Sequence, residues 1–305
     1  MKVTSLLPLL FSTACVTSTH PTEPSKLGVA RALPDLLAVI DQPGPIDFET
    51  IASADWAVSR AGMINLDHPA AEAAGLEDGD EPIQIFFHVV KHPQRGTFII
   101  DTGVQNAFRD DRDNVLLTGL VASAMNVDAL KVKLPLGDWI AKQGSPLAGV
   151  FLTHIHADHI LGLPDVPRGT PLHLGAGETA PRAFMNIFAQ GVTDDALEGH
   201  VALSEWRGAL VDIFGDGSVW AIAAPGHTPG STAYLVRTTR GPVLIAGDAC
   251  HTQWGWEHDV EPGEFSLDLP QSRDSLAMLR KLVADHPAIT VKLGHQALAS
   301  ASDGR

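Results

Sequence analysis

Cysteine is scarce in this chain: Cys15 and Cys250 are the only two in 305 residues. Two cysteines make no disulfide framework, and without a CxxC pair they build no zinc site. Basic residues are also few. Lysine and arginine together number 21 against 36 aspartates and glutamates, a net charge of −15, and no Lys/Arg cluster stands out locally. Phosphate binding needs a basic patch, so nucleic acid is disfavoured as a partner and a small-molecule substrate is expected. After the first residues no apolar run reaches the roughly 18 to 20 residues of a membrane helix. No period of about 20 to 50 residues marks a repeat protein. No G-x-S-x-G elbow is present, so no serine nucleophile of that kind is expected.

The hydrophobic content, 45%, is enough for a large core, and a two-layered α/β domain of this length is ordinary. At the N-terminus Lys2 precedes a mostly apolar run from Val3 to Phe11, then Ser12-Thr13-Ala14 and Cys15. The run resembles a secretory signal, and equally a lipoprotein signal whose cysteine becomes the lipidated first residue. It departs from the latter at Ser12, where leucine is usual. Residues 1–14 are therefore read as a signal segment and 15–26, rich in Pro, Ser and Thr, as a polar tether. This predicts an exported protein, periplasmic or held to a membrane by a lipid on Cys15. Residues 27–82 mix scattered apolar residues with loop formers and read as an extension packed on a main domain spanning 83–305.

Within that domain Ile83–Val90 and Thr97–Ile100, joined across Pro93-Gln94-Arg95-Gly96, read as a β-hairpin ending in Asp101-Thr102-Gly103. Four later apolar runs each end in a polar residue: 148–152 leads to His154, 219–224 to His227, 242–246 to Asp248, and 290–293 to His295. Buried strands have this pattern, and a glycine beside the polar residue permits a tight turn out of a sheet. Between the last two, Leu276, Leu279, Leu282 and Val283 mark one face of a helix, with Pro270 in its first turn and Pro287 past its end.

The densest chemical signal is Thr153-His154-Ile155-His156-Ala157-Asp158-His159. Three imidazoles and a carboxylate in six positions are good ligands for zinc. His154 and His156 can point the same way from an extended segment, while Asp158 and His159 point elsewhere, so one loop can feed two adjacent metals. His227, Asp248 and His295 stand at the strand ends that would complete such a site.

HIHADH resembles the HxHxDH signature of the metallo-β-lactamase superfamily. GHTPGS around His227, GDAC around Asp248, the Gly294-His295 pair and the early IIDTG are similar to its other motifs. The resemblance spans roughly residues 83–297. It implies an α/β fold, the four-layer αββα sandwich, and two divalent metal ions, zinc first, with iron, manganese or cobalt as alternatives. His154, His156 and His227 would bind one ion, Asp158, His159 and His295 the other, and Asp248 would bridge. Asp158 is also linked in the family to handling the proton or leaving group. A water shared by two cations then attacks a carbonyl or phosphoryl centre. The pattern is most similar to the lactonase branch, which implies a lactone or ester substrate. Organophosphate and β-lactam hydrolysis are alternatives, and an iron-dependent sulfur dioxygenase is the rival from another reaction class.

Other residues are weighed beside these. Asp101 is expected to brace the ligand loops. Cys250 is expected to pack. Trp254 and Trp256 fit a core or a pocket wall equally. His20, His68, His92, His173, His200 and His286 are expected to be surface or core residues. Acyl-homoserine-lactone lactonases commonly carry tyrosine three residues after the bridging aspartate; here that position is His251. We expect His251 to lie within reach of substrate as a hydrogen-bond donor or proton shuttle.

Overall fold

The computed structural model describes residues 16–180 and 186–298. The signal segment 1–14 and Cys15, with its expected lipid, lie outside the described residues. The described strands are β1 (Thr22–Pro24), β2 (Val29–Ala30), β3 (Asp47–Ser59), β4 (Asp80–His92), β5 (Gly96–Ile100), β6 (Lys131–Val132) and β7 (Leu147–Phe151). They continue with β8 (Leu172–Leu174), β9 (Leu203–Glu205), β10 (Leu210–Asp212), β11 (Val219–Ala223), β12 (Thr232–Thr238), β13 (Gly241–Ile245) and β14 (Thr290–Lys292). One sheet runs β1-β9-β8-β7-β5-β4-β3-β6 and the other β14-β13-β12-β11-β10-β2.

Side-chain alternation explains the layering. In β12 and β13, Ala233, Leu235 and Leu244 face outward onto Leu276 and Leu279 of the helix Leu269–Asp285. Their neighbours Tyr234, Val236, Val243 and Ile245 face inward. There they meet Val90, Phe98, Ile100 and Phe151 of the first sheet. The outer face of that sheet carries Phe87, Val89, Ile99, Val150 and Leu152 against Trp139, Ile160 and Leu197 from helical segments. Each central strand buries both faces, which is why these strands read as continuous apolar runs rather than alternating ones. The result is helix, sheet, sheet, helix. No helix among the described residues is long and apolar enough to cross a membrane.

The expected hairpin is present as β4 and β5, and the expected helix as Leu269–Asp285, with Asp268 capping the N–H of Gln271 at 3.0 Å.

Two expected boundaries change. Residues 27–82 are not an added layer. β3 pairs with β4 from Asp47↔Lys91 to Ser59↔Asp80, inside the larger sheet, and β2 closes the edge of the smaller one. The boundary at residue 83 falls inside β4. β3 hides in the sequence because its buried positions include small or polar residues such as Ser53 and Ala54. Its register shifts between Ala52 and Ala54, leaving Ser53 as the extra residue of a bulge. There the Ser53 hydroxyl accepts from the Val104 N–H and donates to the Leu134 carbonyl.

Nor are the described residues 16–26 of the expected 15–26 tether free. β1 pairs in parallel with β9, and the Thr19 N–H and hydroxyl both donate to Asp194, at 2.9 and 2.8 Å. A Pro/Ser/Thr composition suits an edge strand as well as a linker, because an edge needs no full ladder of N–H donors.

Candidate metal centre

The loop after β7 is extended through His156 and then makes one helical turn, Ala157–Ile160. The extended part sends His154 and His156 to one side, with ring centres 4.7 Å apart. His227 arrives from the loop after β11, 4.8 Å from the His154 ring and 4.6 Å from that of His156. Gly226 before it holds φ +132°, and a side chain there would strike the backbone of Ser272, so the loop needs glycine. The helical turn directs Asp158 and His159 elsewhere, where they meet His295 from the end of β14; Asp158 Oδ2 stands 3.1 Å from His295 Nε2. Asp248, after β13, lies between the two groups. Its Oδ2 is 3.2 Å from His159 Nε2, 3.4 Å from His227 Nε2, 3.4 Å from His295 Nε2 and 3.6 Å from His154 Nε2. A side chain at Gly294 would fall on Asp248 Oδ1, which accounts for the glycine before His295.

Outer partners orient the rings. His159 Nδ1 donates to Asp101 Oδ2 at 2.9 Å, and His295 Nδ1 donates to the Gln84 carbonyl at 3.1 Å. His227 Nδ1 pairs with the Ser266 hydroxyl, and His154 Nδ1 with that of Thr153. With Nδ1 engaged in this way, Nε2 is turned to the centre, the usual arrangement behind a metal-binding histidine. Asp101 sits in the left-handed region at φ +56° and also accepts the Thr153 N–H at 2.8 Å. The expected brace is therefore in place.

Electrostatics divide the centre. Burial holds His154 and His227 well below the usual imidazole range. Burial opposes charge on His159 and His295 too, but neighbouring carboxylates, Asp248 foremost, overcome it. They hold His159 well above the usual range and draw His295 up to about 10. Despite its own burial, Asp248 is held well below the carboxylate range by His159, His251 and His295. The buried carboxylates thus draw positive charge toward the centre. Asp248 Oδ1 and His154 Nε2 are buried with no hydrogen-bond partner. Such orphaned atoms are costly unless a cation meets them. The two sets, His154/His156/His227 and Asp158/His159/Asp248/His295, each hold their donor atoms within 4.8 Å of one another. Imidazole and carboxylate in these numbers fit zinc, iron, manganese or cobalt.

Residues 81–295 match the metallo-beta-lactamase superfamily. The chain belongs to that superfamily. N-acyl homoserine lactonase AttM of Agrobacterium fabrum is 31% identical over 153 residues, 48% of this chain and 57% of that protein. The chain thus spans little more than half the length of such a curated relative. Two solved structures share the fold at low identity. One is an N-acyl homoserine lactone hydrolase with its product N-hexanoyl-L-homoserine at the catalytic metal centre (TM-score 0.59, 16% identity, 83% of this chain and 94% of that one). The other is AidC, a dizinc quorum-quenching lactonase (TM-score 0.52, 16% identity, 91% and 96%).

All seven ligands expected from the superfamily resemblance are brought together. His251 joins them unexpectedly closely. It is 1% exposed, its Nε2 lies 2.9 Å from Asp248 Oδ2, and its Nδ1 meets the Met63 carbonyl at 3.0 Å. Cys250 packs behind the smaller sheet, its thiol pushed up to about 12 by burial. Trp256 packs in the same outer layer, and Trp254 lies against the cluster of Trp56, Met63 and Val260. The other named histidines stand apart. His92 pairs with Asp216, His173 with Ser25, His286 with Asp41, and His20 and His200 with backbone carbonyls, while His68 caps a short helix.

One residue was not legible as functional: Glu178. Fully buried, it accepts from the Ile155 N–H at 3.1 Å, the Gly230 N–H at 2.8 Å and the Thr228 hydroxyl at 2.7 Å. It ties the His154–His159 loop to the His227 loop. A signal existed: the apolar Leu172-His173-Leu174 run is β8, a further strand that delivers a polar group past a glycine.

Proposed function

We propose that this chain is a metal-dependent hydrolase that opens lactones or related esters. The observation that carries this reading is the convergence of His154, His159, His227 and His295 on the one oxygen Asp248 Oδ2. The likeness to AttM supports the lactone in particular. His154, His156 and His227 would hold one ion, Asp158, His159 and His295 the other, with Asp248 shared. Bound there, two divalent cations would supply hydroxide near neutral pH and polarise the acyl oxygen.

The protein's own groups do the rest. Asp248, with 3% of its side chain exposed, stays ionised between the two sets, while Asp158, with 18% exposed, opens toward solvent. Water oxygen bonds to the acyl carbon, the ring C–O bond breaks, and the leaving alkoxide takes the proton that water gave up. Asp158 would carry that proton.

The test is elemental analysis of the purified protein, then steady-state kinetics on γ-lactones, aryl esters, thioesters, phosphotriesters and β-lactams. About two ions per chain, loss of turnover on chelation, and the highest kcat/KM on a lactone are expected. Asp248→Ala should lose at least one ion and nearly all turnover. Turnover by metal-free protein would sink the metal mechanism, and a phosphotriester or β-lactam preference would sink the lactone.

A further inference from the structure

His251 does more than pack beneath the site. Its Nδ1 faces the Met63 carbonyl, which can only accept, so Nδ1 carries the hydrogen. In a neutral imidazole this leaves a lone pair on Nε2. Nε2 itself stands 2.9 Å from Asp248 Oδ2, nearer than the Nε2 of His154, His159, His227 or His295. A nitrogen and a carboxylate oxygen so close need a proton between them or a cation beside them. The arrangement is the same as at His295, whose Nδ1 donates to the Gln84 carbonyl while Nε2 faces the aspartates. His251 also stands beside the other rings, 5.0 Å from His227 and 5.4 Å from His295, and its donor atom groups with those of His227 and Asp248 within 4.8 Å. Two donors about 2.1 Å from one cation lie about 3.0 Å apart at a right angle and about 3.4 Å apart at the tetrahedral angle. The 2.9 Å His251–Asp248 spacing is close to the right-angle one, and so is the 2.9 Å between His156 Nδ1 and His227 Nε2.

We infer that His251 is an eighth metal-binding residue, a further imidazole on the side of the centre formed by His154, His156 and His227. This side then offers four imidazoles and the shared carboxylate, so that a single water completes six-coordination. Zinc favours four ligands, whereas iron, manganese and cobalt accept octahedral sites. His251 therefore biases the centre away from zinc. The inference rests on the centre holding metal and is independent of the substrate.

The experiment compares wild type, His251→Ala and His251→Gln, each stripped of metal and dialysed against equal zinc and cobalt. Metal content, affinity for the first ion and the visible spectrum of the cobalt form are read, with circular dichroism to confirm folding. Wild type should show the weak bands of six-coordinate cobalt. Both variants should show stronger bands of lower coordination, bind the first ion at least tenfold more weakly, and shift toward zinc. Glutamine separates ligation from support, because its amide can still donate to Asp248 but does not replace an imidazole ligand. A His251→Gln variant with wild-type spectrum and affinity overturns the inference and leaves a hydrogen bond to Asp248. An unchanged His251→Ala overturns it in favour of packing. Proton NMR of the cobalt-loaded wild type needs no variant: six shifted, exchangeable imidazole N–H signals are expected, and five would overturn the inference.

Discussion

Asp101 shows how much of the centre depends on residues that touch no metal. Its carboxylate holds His159 Nδ1 and the Thr153 N–H from a left-handed backbone that costs a non-glycine residue about 1–3 kcal/mol. Asp101→Ala removes the anchor that fixes the His159 ring. Affinity for the ion held by Asp158, His159 and His295 should fall about 10- to 100-fold, read by metal titration, while the His154/His156/His227 side changes little. Equal weakening of both ions would show that Asp101 supports the loop as a whole. The seven candidate ligands were legible because four stand together in HIHADH and the other three follow apolar runs. The orientation of His251 was not, since it is set by the carbonyl of Met63, 188 residues away in the chain. Sequence places His251 three residues past Asp248, but only the fold decides which of its nitrogens faces inward.

At the scale of elements, strands with long apolar runs could be read directly, and the polar residues at their ends did gather. β3 could not, because its partner β4 and the bulge at Ser53 supply the burial that its own composition does not advertise. β1 was hidden by a linker-like composition that an edge position tolerates. Glu178 belongs to this scale, since it joins two loops from different sheets. Burial raises its carboxyl to about 7, while the Thr228 hydroxyl and the Ile155 and Gly230 N–H groups oppose the shift. Glu178→Ala leaves the two backbone donors without their acceptor, a cost of about 2–5 kcal/mol. We expect a matching loss in urea unfolding, together with weaker metal binding on the side of His154, His156 and His227. A variant as stable as wild type would mean that the two loops hold their positions without the clamp.

For the molecule as a whole, the N-terminal segment and the sheets are joined through His173. Its Nδ1 donates to the Ser25 hydroxyl just past β1, and its ring stacks on Trp206 at 4.9 Å and meets the edge of Phe151. Burial lowers its pKa to about 4. The unfolded chain, near the ordinary value of about 6.5, binds a proton between these limits and the folded chain does not. The stability is therefore fully present above about pH 6.5 and is lost as pH falls toward 4. His173→Phe preserves a stacked ring and removes the titration. Urea unfolding of metal-free wild type and His173→Phe at pH 7, 6 and 5 isolates the effect, because the histidines of the metal centre titrate alike in both and cancel in the difference. Near neutral pH the variant should be the less stable, having lost the Ser25 hydrogen bond. Toward pH 5 the gap should narrow as wild type loses about 1 kcal/mol more per pH unit. Parallel pH profiles would mean that His173 is protonated in the folded protein as readily as in the unfolded chain, and that this junction is open to water.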